Sequence, residues 1–128
     1  MIPWWWKYII FIFLWITSAF SANHDRVGPS FVMEPASRID FLNSTGTVIP
    51  CTARGIPTPS ISWMKKDGSS VGDIPGLRHI RPDGSLVFSP FPAEDYRQDV
   101  HSAVYRCVAS NVAGTIGSRD VIVRAGEL

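Results

Sequence analysis

The stretch Cys51-Thr52-Ala53-Arg54-Gly55-Ile56-Pro57-Thr58-Pro59-Ser60-Ile61-Ser62-Trp63 opens a frame that Tyr105-Arg106-Cys107 closes. The chain has only these two cysteines. A tryptophan follows the first by 12 residues, and a tyrosine sits two residues before the second. Two thiols can pair in only one way within a monomer. The spacing predicts one disulfide joining two sheets, with the indole of Trp63 packed against it. On the chain-entropy model, closing that loop restricts the unfolded chain by roughly 4 kcal/mol. A domain of this size is typically stable by only about 5 to 15 kcal/mol, so one bridge is a large share.

The 128 residues are enough for one domain with a real core. Formal net charge is +1, from 12 basic and 11 acidic residues. Met1 to Lys7 carries one positive charge, Tyr8 to Ile16 is an apolar run, and Thr17 to Ala22 supplies small residues. That order is the order of a secretory signal peptide, with cleavage expected after Ser21. The rival, an uncleaved anchor, is disfavoured because a span needs about 20 apolar residues. Cleavage removes Lys7 and leaves 11 basic against 11 acidic residues, a balance that argues against nucleic acid or an anionic membrane as partner. Export to an oxidising compartment independently favours the disulfide. The expected localisation is secreted or on the outer face of the plasma membrane, with no second apolar run for a transmembrane helix.

The mature chain divides into a leader (22–29), a domain (30–125) and an end (126–128) that stops where a second domain would begin. Phe31 to Pro35 reads as a first edge strand, and Arg38 to Phe41 as its continuation. Asn43-Ser44-Thr45-Gly46 reads as a turn. Thr47 to Ala53 is a second strand with Ile49, Cys51 and Ala53 on one face. Pro50 lacks an N–H and must sit away from the ladder or at a bulge. Ser60 to Lys65 alternates and sends Ile61 and Trp63 inward. Lys66-Asp67-Gly68-Ser69 is a turn. Arg78 to Arg81, Ser85 to Ser89, Ala103 to Ser110 and Thr115 to Val123 complete the set, with Leu86, Phe88, Tyr105, Val121 and Val123 inward. Seven to nine short strands without helical periodicity give an all-β fold, and the cysteine–tryptophan–cysteine frame makes it an immunoglobulin-like sandwich: two packed antiparallel sheets with one inter-sheet disulfide.

The pattern Cys51, Trp63, Leu86 and Tyr105-Arg106-Cys107-Val108-Ala109-Ser110-Asn111-Val112-Ala113-Gly114 resembles the intermediate set of immunoglobulin domains in cell-adhesion molecules. Such domains usually carry Asp four residues before the tyrosine, where this sequence has His101. Val71 to Arg78, the long corner Phe91 to His101, Gly28 to Pro35 and Arg38 to Phe41 look like the N-terminal domain of arthropod Down syndrome cell adhesion molecules. The resemblance spans Gly28 to Arg124. It implies a module of a large neuronal, and in some arthropods immune, receptor that binds homophilically in axon guidance and dendrite self-avoidance. Specificity in that family lies largely in later domains, which makes this one mainly scaffold. The alternative is a free single-domain ligand, decoy or immune recognition factor.

Enzymatic patterns are absent. His24, His79 and His101 are not at metal-ligand spacing, and the two cysteines are committed. A triad from His101, Ser102 and Asp95 or Asp99 can be drawn, but loop solvation explains these residues better. No cofactor or small-molecule substrate is implied; the expected partner is protein. Asn43-Ser44-Thr45 is a glycosylation sequon in an expected surface turn. Lys65, Lys66, Arg78, His79 and Arg81 gather basic charge, which raises a weak glycan contact, yet Asp67, Asp73 and Asp83 are interleaved. Phe91 and Tyr96 either cap the sandwich or, with Arg78 and Arg81, serve as candidate interface contacts. Alternation also puts Arg119 on the face of Val121, where a half-buried ion pair would be needed.

Overall fold

The computed structural model describes residues 25–126. The expected signal peptide, the start of the leader and the last two residues lie outside the described residues. Ten strands are present among those described: β1 Val27–Met33, β2 Arg38–Leu42, β3 Thr47–Ile49, β4 Thr52–Ile56, β5 Ser60–Lys65, β6 Arg78–Ile80, β7 Leu86–Phe88, β8 Ser102–Asn111, β9 Gly114–Gly117 and β10 Val121–Gly126. A 3-10 turn at Ala93–Asp95 and one helical turn, α1 Gln98–His101, lie between β7 and β8.

One layer holds β1 on β4 and the ladder β3-β7-β6; the other runs β2-β10-β8-β5, with β9 also on β8. The expected strand Thr47 to Ala53 is split into β3 and β4 at Pro50-Cys51, as a residue without an N–H requires. β1 begins at Val27, three residues before the expected start of the domain. The segment Arg38 to Phe41 does not continue the edge of β1. Pro35 is buried and ends that strand, and the chain crosses to the other layer. There β2 pairs parallel with β10, from Arg38 against Ile122 to Leu42 against Gly126. The second layer therefore carries one parallel ladder beside its antiparallel ones.

The expected last strand is also two. It breaks at Ser118, whose hydroxyl accepts the Cys107 N–H at 2.9 Å and donates to the Arg119 carbonyl at 2.8 Å. The break resets the alternation, so Arg119 is exposed rather than on the face of Val121. Its guanidinium pairs with Glu34 at 3.2 Å, and the Arg119 hydrogen bonds hold the Glu34 carboxyl below its usual range.

The core follows the sequence pattern. Cys51 and Cys107 form the disulfide across the layers. Trp63, Leu86, Tyr105, Ile49, Phe88, Val121 and Val123 are all buried around it. The indole is oriented by a hydrogen bond from Nε1 to the Gly84 carbonyl at 2.7 Å. Gly84 has φ +93°, and a Cβ there would lie 2.8 Å from Ile61 Cβ. Only glycine offers both that backbone and that clearance. The tryptophan's polar end is thus satisfied by a turn that the sequence signals as Pro82-Asp83-Gly84.

Candidate functional site

The two loops that distinguish this sequence, 71–78 and 91–101, meet at one end of the sandwich. Pro75, Gly76 and Leu77 face Glu94, Asp95, Tyr96 and Arg97 across an open cleft. Beneath it lies a polar network. Arg78 is only 6% exposed. Its Nε donates to the Gly72 carbonyl at 3.1 Å and its Nη1 to the Tyr105 hydroxyl at 3.0 Å. The Tyr105 hydroxyl donates in turn to the Val100 carbonyl at 2.7 Å. Burial raises the Tyr105 phenol above its ordinary value, so the ring stays neutral and can both donate and accept. The guanidinium also lies 5.8 Å from the Tyr105 ring centroid. A buried cation normally needs a carboxylate. Here carbonyl and hydroxyl oxygens stand in for one, and His101 occupies the position where the resemblance expects the acid.

His101 is 0% exposed. Phe91 stacks on it with ring centroids 3.8 Å apart, and Tyr96 lies at 5.6 Å. Its Nδ1 accepts the Arg97 N–H at 3.0 Å, so the neutral ring carries its proton on Nε2. Desolvation holds the imidazole below the ordinary histidine value.

This geometry corrects two of the candidate contacts. Phe91 is 5% exposed and packs on His101, so it caps the sandwich and is no free anchor. Arg78 is buried and bonded inward, which removes it from both the interface set and the basic cluster. Tyr96 is half-buried, while Arg81 and His79 remain exposed. The drawn triad does not assemble: Asp99 pairs with Arg97 at 2.7 Å, and His101 Nδ1 bonds a backbone amide. No cluster of three or more His, Cys, Asp or Glu with metal-binding geometry occurs among the described residues.

Asn43 sits in its turn half-buried, with Nδ2 donating to the Phe91 carbonyl at 3.1 Å. The backbones reciprocate, Phe91 N–H to the Asn43 carbonyl at 2.9 Å. The sequon asparagine therefore fastens the start of the corner.

At the opposite end, Val27, Ile56 and Val112 are 49%, 54% and 70% exposed. Val27 and Ile56 are a cross-strand pair. Asn111 organises this end: Nδ2 donates to the carbonyls of Val27 at 2.8 Å and Pro57 at 3.0 Å, and Oδ1 accepts the Ala113 N–H at 2.9 Å. Its place in the Tyr105 to Gly114 pattern did not reveal that Asn111 ties β1 and the β4–β5 loop to β8. The signal was present in the Cys-x-Ala-x-Asn-x-x-Gly run.

An immunoglobulin domain family model matches residues 29–111, more than half of the chain. The chain belongs to the immunoglobulin domain family. This immunoglobulin domain is 60% identical over 101 residues to the cell adhesion molecule Dscam1 of Drosophila melanogaster, covering 79% of the chain and 5% of that protein. It is 38% identical over 95 residues to the human cell adhesion molecule DSCAM, covering 74% of the chain and 5% of that protein. A crystal structure of the N-terminal four Ig domains of Dscam1 isoform 7.44 superposes with a TM-score of 0.78 at 60% identity, covering 80% of the chain and 26% of that structure. The chain thus spans about 5% of the curated relatives it matches. The resemblance drawn over Gly28 to Arg124 is borne out, and the fold is a non-enzymatic one.

Proposed function

We propose that this immunoglobulin domain is an adhesion module of a larger cell-surface receptor, working by protein–protein contact of the homophilic kind. The setting is the one that the sequence resemblance implies, cell recognition in neuronal wiring, including axon guidance and dendrite self-avoidance. Within such a receptor the domain is mainly scaffold. One observation carries this reading. The two loops turn Phe91, Arg78 and His101 inward, where Arg78 meets the buried Tyr105 of β8, and Tyr96 is half-buried. Outside, the corner shows the exposed pair Arg97 with Asp99, and β2 shows Arg38 with Asp40; such pairs contribute little energy of their own. A corner built this way presents a packed body to its neighbours rather than exposed aromatic anchors. Sequencing the native transcript across the codon for Leu128 tests the reading. Continuation in frame into a second immunoglobulin domain is expected. A stop codon there overturns it in favour of a free secreted ligand or decoy.

A further inference from the structure

We propose that the corner Phe91–His101 is an acid-released clamp, held shut by His101 at neutral pH and unfastened when that imidazole takes a second proton. The geometry is specific. The ring is fully buried between Phe91 and Tyr96. Its Nδ1 is the acceptor for the Arg97 N–H, and Nε2 has no hydrogen-bond partner among the described residues. The Nδ1 bond bridges α1, because Arg97 is the residue at its N-terminal cap. A proton from solvent can add only at Nδ1, since Nε2 already holds one. Once it does, Nδ1 becomes a donor facing a donor, and the Arg97 amide loses its acceptor.

The surroundings cannot absorb the new charge. From β6, Arg78 brings a cation and from β8, Tyr105 brings a neutral phenol already engaged with Val100 and Arg78. On its own turn stand Arg97 and Asp99, but the Asp99 carboxylate is held by Arg97 through two hydrogen bonds. From β5, Lys65 Nζ donates to the Asp99 carbonyl and adds a further positive charge. From β10, Arg124 is exposed and points away, on the side opposite the buried Val123 and Ala125. In the 93–95 turn, Glu94 and Asp95 are exposed to water. Tyr96 is the other titratable group in contact, and it offers the imidazole a ring face. No carboxylate is hydrogen-bonded to the imidazole among the described residues. A charged His101 is relieved only by opening the corner to water.

The sign follows from linkage. A histidine that titrates lower in the folded chain than in the unfolded one stabilises the fold above about pH 6.5, its unfolded value. That contribution is lost as pH falls through the lower folded value. The opening is local because β8 is held independently by the disulfide and by its ladders to β5 and β10.

Amide hydrogen exchange of the full secreted chain at pH 7.4 and pH 5.0, corrected for intrinsic rates, tests this. Protection of the amides 97–101 should fall about tenfold or more at the lower pH, while that of Cys107 holds. In His101→Gln, which cannot gain a proton, the fall should vanish; in His79→Gln it should persist. Should His101→Gln not fold, the wild-type imidazole resonances decide. A neutral ring with the proton on Nε2 at pH 7.4, titrating in step with the loss of protection, supports the clamp. Unchanged protection of 97–101 at pH 5.0, or a fall that persists in His101→Gln, overturns it.

Discussion

At the scale of single residues, several side chains do work that their type alone does not announce. Gly84 accepts the Trp63 N–H on its carbonyl while its missing Cβ clears Ile61. Gly84→Ala should cost about 1–3 kcal/mol from backbone strain alone, with the Ile61 contact adding to it. Chemical denaturation reads this as a lower midpoint at unchanged slope. Asn111 is the second such residue. Asn111→Ala removes three hydrogen bonds and should destabilise by about 1–2 kcal/mol. The loss should appear first as exchange of the β1 amides, because Val27 is one of its partners. Uniform loss of protection across all strands would show instead that Asn111 stabilises the fold as a whole. Asn43 is the third. One hydrogen of its amide binds the Phe91 carbonyl, which leaves the second for a glycan bond. A mobility shift on deglycosylation, abolished in Asn43→Gln, is the expected result, and no shift in the wild type counts against occupancy.

At the scale of elements, the inward set was legible because strand alternation and the cysteine–tryptophan spacing are local, strong signals. Ile49, Cys51, Trp63, Leu86, Tyr105, Cys107, Val121 and Val123 are all buried where period-two reading put them. Other features were not legible, and each has a physical cause. The crossing of β2 to the other layer depends on Pro35 and on pairing with β10, which lies more than 80 residues away in sequence. No local pattern encodes the choice of that partner. The inward turn of Arg78 depends on Tyr105, which only the folded chain brings to it, whereas capping by Phe91 was one of the two readings its sequence offered. An arginine among other basic residues reads as surface until a buried hydroxyl is found to receive it. The break at Ser118 is a further case, since a serine in a strand gives no hint that its hydroxyl will accept the Cys107 amide. The disulfide itself is the element-level prediction. Cys51→Ser or Cys107→Ser should abolish secretion of folded protein, with roughly 4 kcal/mol removed at a stroke. Normal secretion and cooperative unfolding of either variant would contradict this.

At the scale of the whole molecule, the sandwich places its two distinctive ends far apart in character. One end is the fastened corner, knit by Arg78, Tyr105, His101 and Asn43. The other is an apolar rim of Val27, Ile56 and Val112 around Asn111. Between them the surface carries exposed ion pairs, which salt screens and which seldom anchor a partner, alongside exposed apolar side chains such as Met33, Val48 and Ile122. The frame of Cys51, Trp63 and Cys107 decides the fold but is common to very many binding domains, so it cannot decide the partner. The functional reading rests instead on the adhesion molecules that the domain matches along most of its length. Its core is that this domain is a scaffold that does not hold two surfaces together unaided. Aggregation of beads coated with residues 23–128 measures that most directly. Beads carrying this domain alone should remain dispersed at neutral pH. Robust aggregation of those beads would contradict it and make this domain an adhesive in its own right.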